Sequence, residues 1–356
     1  MNRSILFVTS HSYLPQKVGG AEASTHQLCL ETIKRNCKVA VLSSLGAGDF
    51  ISFKTRVKMK VLKSEIVSDN IMKYPVFRVW NLEEKLPKII NQLKPDWVIL
   101  QAGECIKLAK IALETTGNHN VSIYVRDVNF SKHGGEYFAA DKLTYISNSN
   151  FTSQKLLEKF GLPSTAIPPM VDYSKYKVPL TGKQIVFICP FPEKGVELAT
   201  EIAINNPHLP FLFVESWTYT KEVKSYLAQF VEPLVNVELK SKQLDMKAIY
   251  SKAKVVIIPS LCEEAWGRVA SEAQVSGIPV VARAIGGLIE SVGDGGVLMP
   301  PDASVSEWSE ILNKLFNDKS FYESISRRAK DYSKRKDIAV DQLTDLFLNT
   351  IEKNKN

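Results

Sequence analysis

The sequence predicts an α/β protein built from two doubly wound, Rossmann-like halves, and three observations support this. Short apolar, β-branched runs alternate with amphipathic helical patterns, which implies parallel sheets covered by helices. The alternation restarts after a Pro-, Gly- and Tyr-containing stretch at 168–182 that reads as a linker. The chain has 356 residues, 45% hydrophobic and 23% charged, enough for two globular domains of about 100–200 residues each.

In chain order, 4–10 (SILFVTS) reads as the first strand, followed by a Gly19-Gly20 turn and a helix over 21–35. Strands are expected at 37–43, 95–102, 121–128 and 142–149, with helical stretches such as 151–161 between them. After the linker, strands are expected at 184–190, 210–216, 235–240, 254–260 and 279–284. From about 306 the pattern is helical, over 306–316, 321–335 and 337–353. The domains are accordingly expected at 1–173 and 174–337, facing across a cleft. In such sheets ligands bind at the carboxyl ends of the strands.

In 52–64 (SFKTRVKMKVLKS), Lys54, Arg56, Lys58 and Lys60 recur at every second residue, so as a strand they would share one face. That reads either as a charge-protected edge strand or as a basic patch facing an acceptor or a membrane. Residues 1–175 carry 23 lysines and arginines against 15 acids, and 176–356 carry 22 against 23. The positive excess therefore sits in the first half, where an acidic acceptor or a membrane surface is the implied partner; no nucleic acid is expected. The five cysteines and five histidines are dispersed without metal-ligand spacing, so reduced core thiols and no metal site are expected. The N-terminal apolar run is too short for a secretory signal, and nothing approaches the roughly 18 apolar residues of a membrane span. A cytoplasmic protein is expected.

The densest chemistry lies between Pro259 and Val281, PSLCEEAWGRVASEAQVSGIPVV. A strand ends in an acidic loop containing Glu264, a helix begins near Gly267, and Glu272 falls about one and a half turns into it. Amides at a helix start can hold an anion or sugar hydroxyls, and carboxylates accept hydrogen bonds from diols. Ala265 and Gly267 would let a ligand approach the backbone.

This segment resembles the E-x(7)-E signature of retaining glycosyltransferase family 4, which has the GT-B fold. Glu264, Trp266, Gly267, Glu272, Ala273, Gly277, Pro279, Gly286, Gly287 and Glu290 stand where that pattern needs them. The resemblance implies a donor-binding set: Glu272 on the ribose, with Glu264 and the Ala265–Gly267 amides (Trp266 between them) on the donor sugar. Lys194-Gly195 after 184–190 is similar to the family's diphosphate-binding G-R-x(4)-K-G element, but Cys189-Pro190-Phe191 stands where the arginine belongs. Arg268 is the expected substitute on phosphate charge. Gly19-Gly20-Ala21-Glu22 resembles the family's GG-A-E turn facing donor and acceptor. Arg126, before Asp127, occupies the place of a histidine that touches the donor sugar; a structural salt bridge is the alternative. Ser149 and Asp172 read as structural.

The resemblance implies a metal-independent, retaining hexosyltransferase with no cofactor. It would use a nucleotide-sugar donor, UDP-sugar favoured, and a saccharide or lipid-linked acceptor in polysaccharide biosynthesis, with possible peripheral membrane contact through the basic half. Lys194, Glu264 and Arg126 are the catalytic candidates. The first domain would bind acceptor, the second the donor, and a last helix over about 338–356 would cross back onto the first. A nucleotide-sugar 2-epimerase, a phosphorylase-like enzyme and a binding-only scaffold are the competing readings.

Overall fold

The computed structural model describes residues 3–216, 219–243 and 245–353. The chain divides into two compact units, one of Met1–Met170 with Val340–Asn356, the other of Val171–Ala339.

The first unit opens with β1 (Ser4–Ser12), α1 (Gly20–Lys34), β2 (Lys38–Ser44) and α2 (Phe50–Leu62). It continues through β3 (Val67–Asp69), β4 (Val76–Val79), α3 (Leu82–Leu93), β5 (Trp97–Gln101) and α4 (Cys105–Glu114). Then come β6 (Asn120–Val125), β7 (Leu143–Ser147), α5 (Asn150–Phe160) and β8 (Thr165–Ala166). Its sheet has the order β3-β4-β2-β1-β5-β6-β7-β8, parallel except for the antiparallel β3–β4 pair. β5 and β6 are buried along their whole length, the mark of strands covered on both faces.

The second unit begins with α6 (Tyr173–Tyr176), β9 (Gln184–Ile188), α7 (Val196–Asn205) and β10 (Phe211–Val214). It goes on through α8 (Lys221–Tyr226), β11 (Val237–Lys240), α9 (Met246–Tyr250), β12 (Ala253–Ile258) and α10 (Arg268–Gln274). β13 (Val280–Arg283), α11 (Leu288–Val292), β14 (Val297–Met299), α12 (Val305–Asn317) and α13 (Lys319–Tyr332) complete it. Its all-parallel sheet runs β11-β10-β9-β12-β13-β14. Both faces carry apolar cores, one around Phe187, Phe213 and Trp308, the other around Val186, Val256 and Leu288.

The order of the second sheet, and of β4-β2-β1-β5-β6-β7 in the first, is the doubly wound 3-2-1-4-5-6 arrangement. Strand direction of travel reverses between β1 and β5, and between β9 and β12. In sheets of this order ligands are met at the carboxyl ends of the strands on either side of the reversal, which makes the loops after β1, β5, β9 and β12 the candidates.

Polar side chains define where the helices begin. Ser149 accepts from the Thr152 amide to start α5, Asp172 accepts from Ser174 to start α6, and Ser304 shares a capping box with Glu307 at α12. The last helix, α14 (Val340–Glu352), lies in the first unit. Its Phe347 ring stacks on Phe7 at 6.0 Å, and the indole of buried Trp97 donates to Ile351 O at 2.7 Å. Arg35 pairs with Asp341 and Asp345 of the same helix at 3.2 and 2.7 Å.

The stretch 52–64 corrects the sequence expectation of a strand. It lies in helix α2, started by a reciprocal Asp49–Ser52 capping box and closed by Lys63 in the left-handed region. Lys, Arg, Met and Leu dominate it, all strong helix formers. Alternate residues on a helix are turned by about 200°, so the four cations cannot share a face. Lys54 and Lys58 lie on one flank, Arg56 and Lys60 on the other.

Candidate functional site

In the second unit the loops after β9 and β12 are pressed together by one glycine. Gly195 has φ +81°, and a Cβ there would come within 2.2 Å of Pro259 O. The Leu261 and Cys262 amides donate to Glu193 O at 3.0 and 3.2 Å across the same seam. This contact sets Lys194 against Glu264: the ammonium donates to Oε1 at 2.6 Å, and Ser260 Oγ donates to the same oxygen at 2.8 Å. The two side chains are 19% and 18% exposed, so the pair is neither sealed nor free in water. Burial alone would lower the Lys194 pKa. The Glu264 carboxylate, aided by Cys262, outweighs it and keeps the ammonium above its ordinary value.

Glu264 is held from behind by Gly286 and Gly287. The Gly287 amide donates to Glu264 O at 2.6 Å, and a Cβ on Gly287 would meet Ala265 O at 2.3 Å. Ala265 and Trp266 are buried, with the Trp266 indole donating to Ser271 Oγ at 3.0 Å. Gly267 has φ +86°, but the space where its side chain would stand is filled by Leu288, 2.3 Å from the ideal Cβ. The room expected there for a ligand is used for packing α11.

Glu272 sits in a second, more buried cluster. Arg268, one turn earlier on α10, donates from Nε to Oε1 at 2.6 Å, and Tyr250 OH donates to Oε2 at 2.8 Å. Arg268 also donates from Nη2 to Tyr176 OH at 3.1 Å. The Arg268 and Glu272 side chains are 11% and 8% exposed. Burial works against the guanidinium's charge, but Glu272 and Tyr176 outweigh it and hold the group protonated; burial, with Glu272, pushes the Tyr250 phenol far up. Arg268 is therefore engaged by Glu272 and Tyr176. Cys189 is buried, has φ +66°, and its thiol is pushed up to about 11 by burial, so it offers no charge.

In the first unit the ends of β1, β5 and β6 gather the polar groups. Gly19 is the extended N-cap of α1 and makes no side-chain cap, leaving the first amides of that helix to other acceptors. Lys17 pairs with buried Glu22 at 3.3 Å and lies 2.9 Å from His11 Nδ1. Burial, then Lys17, lowers the His11 pKa against the opposing charges of Glu22 and Asp127. At the end of β6, Arg126 donates to Gln101 Oε1 at 2.9 Å and lies over the Tyr124 ring at 3.8 Å. Asp127 receives His133 Nε2 at 3.1 Å.

Of the candidate residues, the structure brings together Lys194 with Glu264, and Arg268 with Glu272. Gly19, Gly20 and Arg126 stand at strand ends of the other unit. Sequence reasoning missed Tyr176 and Tyr250, which reach Glu272 and Arg268 from α6 and α9. It also missed His11 and His133, which no local pattern marks. Ser260 could have been found, because it lies four residues before Glu264 at the end of β12.

Comparison with known proteins bears on the same segment. Residues 175–332 match the family model of glycosyl transferases group 1. A D-inositol 3-phosphate glycosyltransferase of Corynebacterium aurimucosum is 39% identical over 92 residues, which are 26% of this chain and 22% of that one. The enzyme of the same name from Corynebacterium kroppenstedtii is 32% identical over 127 residues, 35% and 28% of the two chains. The matches thus span about a quarter of those curated relatives. Among solved structures, a glycosyltransferase from Rickettsia africae aligns over 99% of this chain and 98% of its own, with TM-score 0.76 and 15% identity. Anabaena HepE in complex with UDP and glucose aligns over 99% and 100%, with TM-score 0.77 and 18% identity. At such identities the structural likeness establishes the fold.

Proposed function

Because residues 175–332 match the model of glycosyl transferases group 1 and the chain has the GT-B fold, we propose that this protein is a retaining, metal-independent glycosyltransferase. It takes a hexose-type sugar from a nucleotide-sugar donor, UDP-sugar favoured, and passes it to a saccharide or lipid-linked saccharide acceptor. The observation that carries the reading is the Lys194–Glu264 pair at 2.6 Å, held where the β9 and β12 loops meet at the sheet's switch point. UDP is favoured because the HepE structures that share the fold contain UDP, and one of them UDP-glucose.

In this reading the donor parts Lys194 from Glu264. The ammonium turns to the diphosphate and neutralises charge gathering on the leaving nucleotide, the type of stabilisation that lowers such barriers most. Glu264 accepts from donor-sugar hydroxyls, kept in place by Ser260 and the Gly287 amide. Glu272, paired with Arg268 and Tyr250, has lone pairs left to accept from the ribose diol. Glu264 is taken up by Lys194 and Glu272 by Arg268, so neither is set as a nucleophile with the other as its acid. The reading is therefore a front-face substitution in which the leaving phosphate takes the acceptor proton and the protein supplies orientation. The first unit, through the α1 amides and Arg126, would receive the acceptor. Its positive charge suits an anionic acceptor, or a lipid-linked one met at an anionic membrane. No described helix is long and apolar enough to cross that membrane.

The test is calorimetric titration of UDP-, GDP- and ADP-sugars without added metal, on the wild type and on Glu272→Ala. Binding of one nucleotide series, weakened at least tenfold in the variant, supports the donor site and names the base. Unchanged affinity in the variant removes the ribose assignment, and binding of no donor favours the scaffold reading.

A further inference from the structure

Helix α2 is built inside out. At about 100° per residue, Ser52, Thr55 and Met59 share one face, and Ser52 and Thr55 are buried at 1% and 8% exposure. The opposite face carries Phe50, Phe53, Val57 and Val61, spaced i, i+3, i+7 and i+11, exposed at 76%, 57%, 46% and 73%. A helix serving only its own core would reverse that assignment. Solvent-facing phenylalanines in line on a single helix form a patch, not scattered exposure.

The charges around the stripe say what covers it. Between Phe50 and Lys63 there are five cations and no acid. Lys54 and Lys58 flank the stripe on one side, Arg56, Lys60 and Lys63 on the other. Lys58 is tethered to Ser68 O at 2.5 Å, and Lys54, Arg56, Lys60 and Lys63 form no ion pair among the described residues. Trp80, 55% exposed, lines a hollow together with Arg56, Lys60 and Lys63, and the two acids of that hollow, Glu65 and Glu84, are both taken up by Lys85. An apolar stripe edged on both sides by unpaired cations, with an indole beside it, matches the boundary between anionic head groups and acyl chains. A protein groove would need acids on both flanks and an apolar floor between them. A second copy of this helix would set like charges against each other.

We propose that α2 is an interfacial anchor, lying flat on an anionic lipid bilayer with Phe50, Phe53, Val57 and Val61 inserted and the flanking cations on phosphates. This rests on the membrane contact read for the first unit, and not on the donor chemistry of the second. The two attractions act together: the cations draw the helix to the surface, and the stripe then leaves water.

The full chain is sedimented with large unilamellar vesicles of phosphatidylcholine alone and of phosphatidylcholine with 30% phosphatidylglycerol. Phe53→Ser/Val57→Ser and Lys54→Glu/Lys60→Glu are tested beside it. The expected result is binding to the anionic vesicles only, weakened at least tenfold in each variant and by high salt in the wild type. UDP binding and thermal midpoint should stay at wild-type values, because the altered side chains are exposed and lie in the other unit. Absence of binding to anionic vesicles overturns the proposal, as does binding that both variants retain. If the stripe instead drives self-association that Phe53→Ser/Val57→Ser abolishes, with no vesicle binding, the occupant is a second copy and the proposal also falls. Loss of donor binding in the wild type would sink the transferase reading and leave this one standing.

Discussion

The two units share a strand order and differ in how they hold their polar residues. In the second, the loops after β9, β12 and β13 are fixed by glycines with positive φ, at Gly195, Gly267 and Gly286. The ion pairs those loops present are largely withdrawn from water. In the first, the strand ends carry His11, Lys17 and Asp127 in looser pairings that leave one partner exposed, while Arg126 is held against buried Gln101 and Tyr124. Rigid loops place reacting groups to fractions of an ångström, while looser ones tolerate a change of partner. The contrast fits the proposed placing of the donor on the second unit and of the acceptor on the first.

The sharpest way to break that comparison is to strand a buried charge. Arg268→Met leaves Glu272 without its cationic partner and should cost about 3–5 kcal/mol in chemical denaturation. Arg268→Met/Glu272→Met should recover most of it, and no recovery would show that the pair is not the cause. Lys194→Met comes next, with transfer slowed about 10²–10³-fold and the thermal midpoint little changed. An equal loss of stability would make Lys194 a structural residue. Gly195→Ala adds left-handed strain and a clash with Pro259 O, and about 2–3 kcal/mol of stability should go with it. Across the divide, Arg126→Lys should cost no more than about 1 kcal/mol, since a cation over Tyr124 remains. A cost matching that of Arg268 would end the distinction between the units.

The smallest effect is an expected constancy. Because Glu264 raises the Lys194 pKa, the ammonium is fully charged below its ordinary value of 10.5 and is lost only as pH rises through a still higher one. Donor affinity measured between pH 6.5 and 8.5 should therefore be flat. A decline across that window would mean another group carries the phosphate contact.

Legibility in the sequence followed the same divide. The second unit could be read because its constraints are local: a strand end, an eight-residue spacing of carboxylates, and glycines where chains touch. Its strands at 184–190, 210–216, 254–260 and 279–284 appear as β9, β10, β12 and β13. The partners of Glu272 could not be read, since Tyr250 and Tyr176 lie 22 and 96 positions away in the numbering and are united only by folding. In the first unit, α2 was misread because charges at every second position satisfy a strand face and two helix flanks equally. The capping Asp49 and the run of helix formers decide between them. β3, β4, β8 and β14 escaped because two to four residues carry too little periodicity.

The return of α14 to the first unit has a consequence for how the chain is made. Phe7 and Trp97 await a covering helix that begins only at Val340, after the whole second unit has been synthesised. A ribosome that has released residues 171–339 has produced one unit with its complete sequence and another still lacking a wall of its core. The usual order, in which the N-terminal domain folds first, is thereby inverted, and the first unit must remain partly open through most of translation.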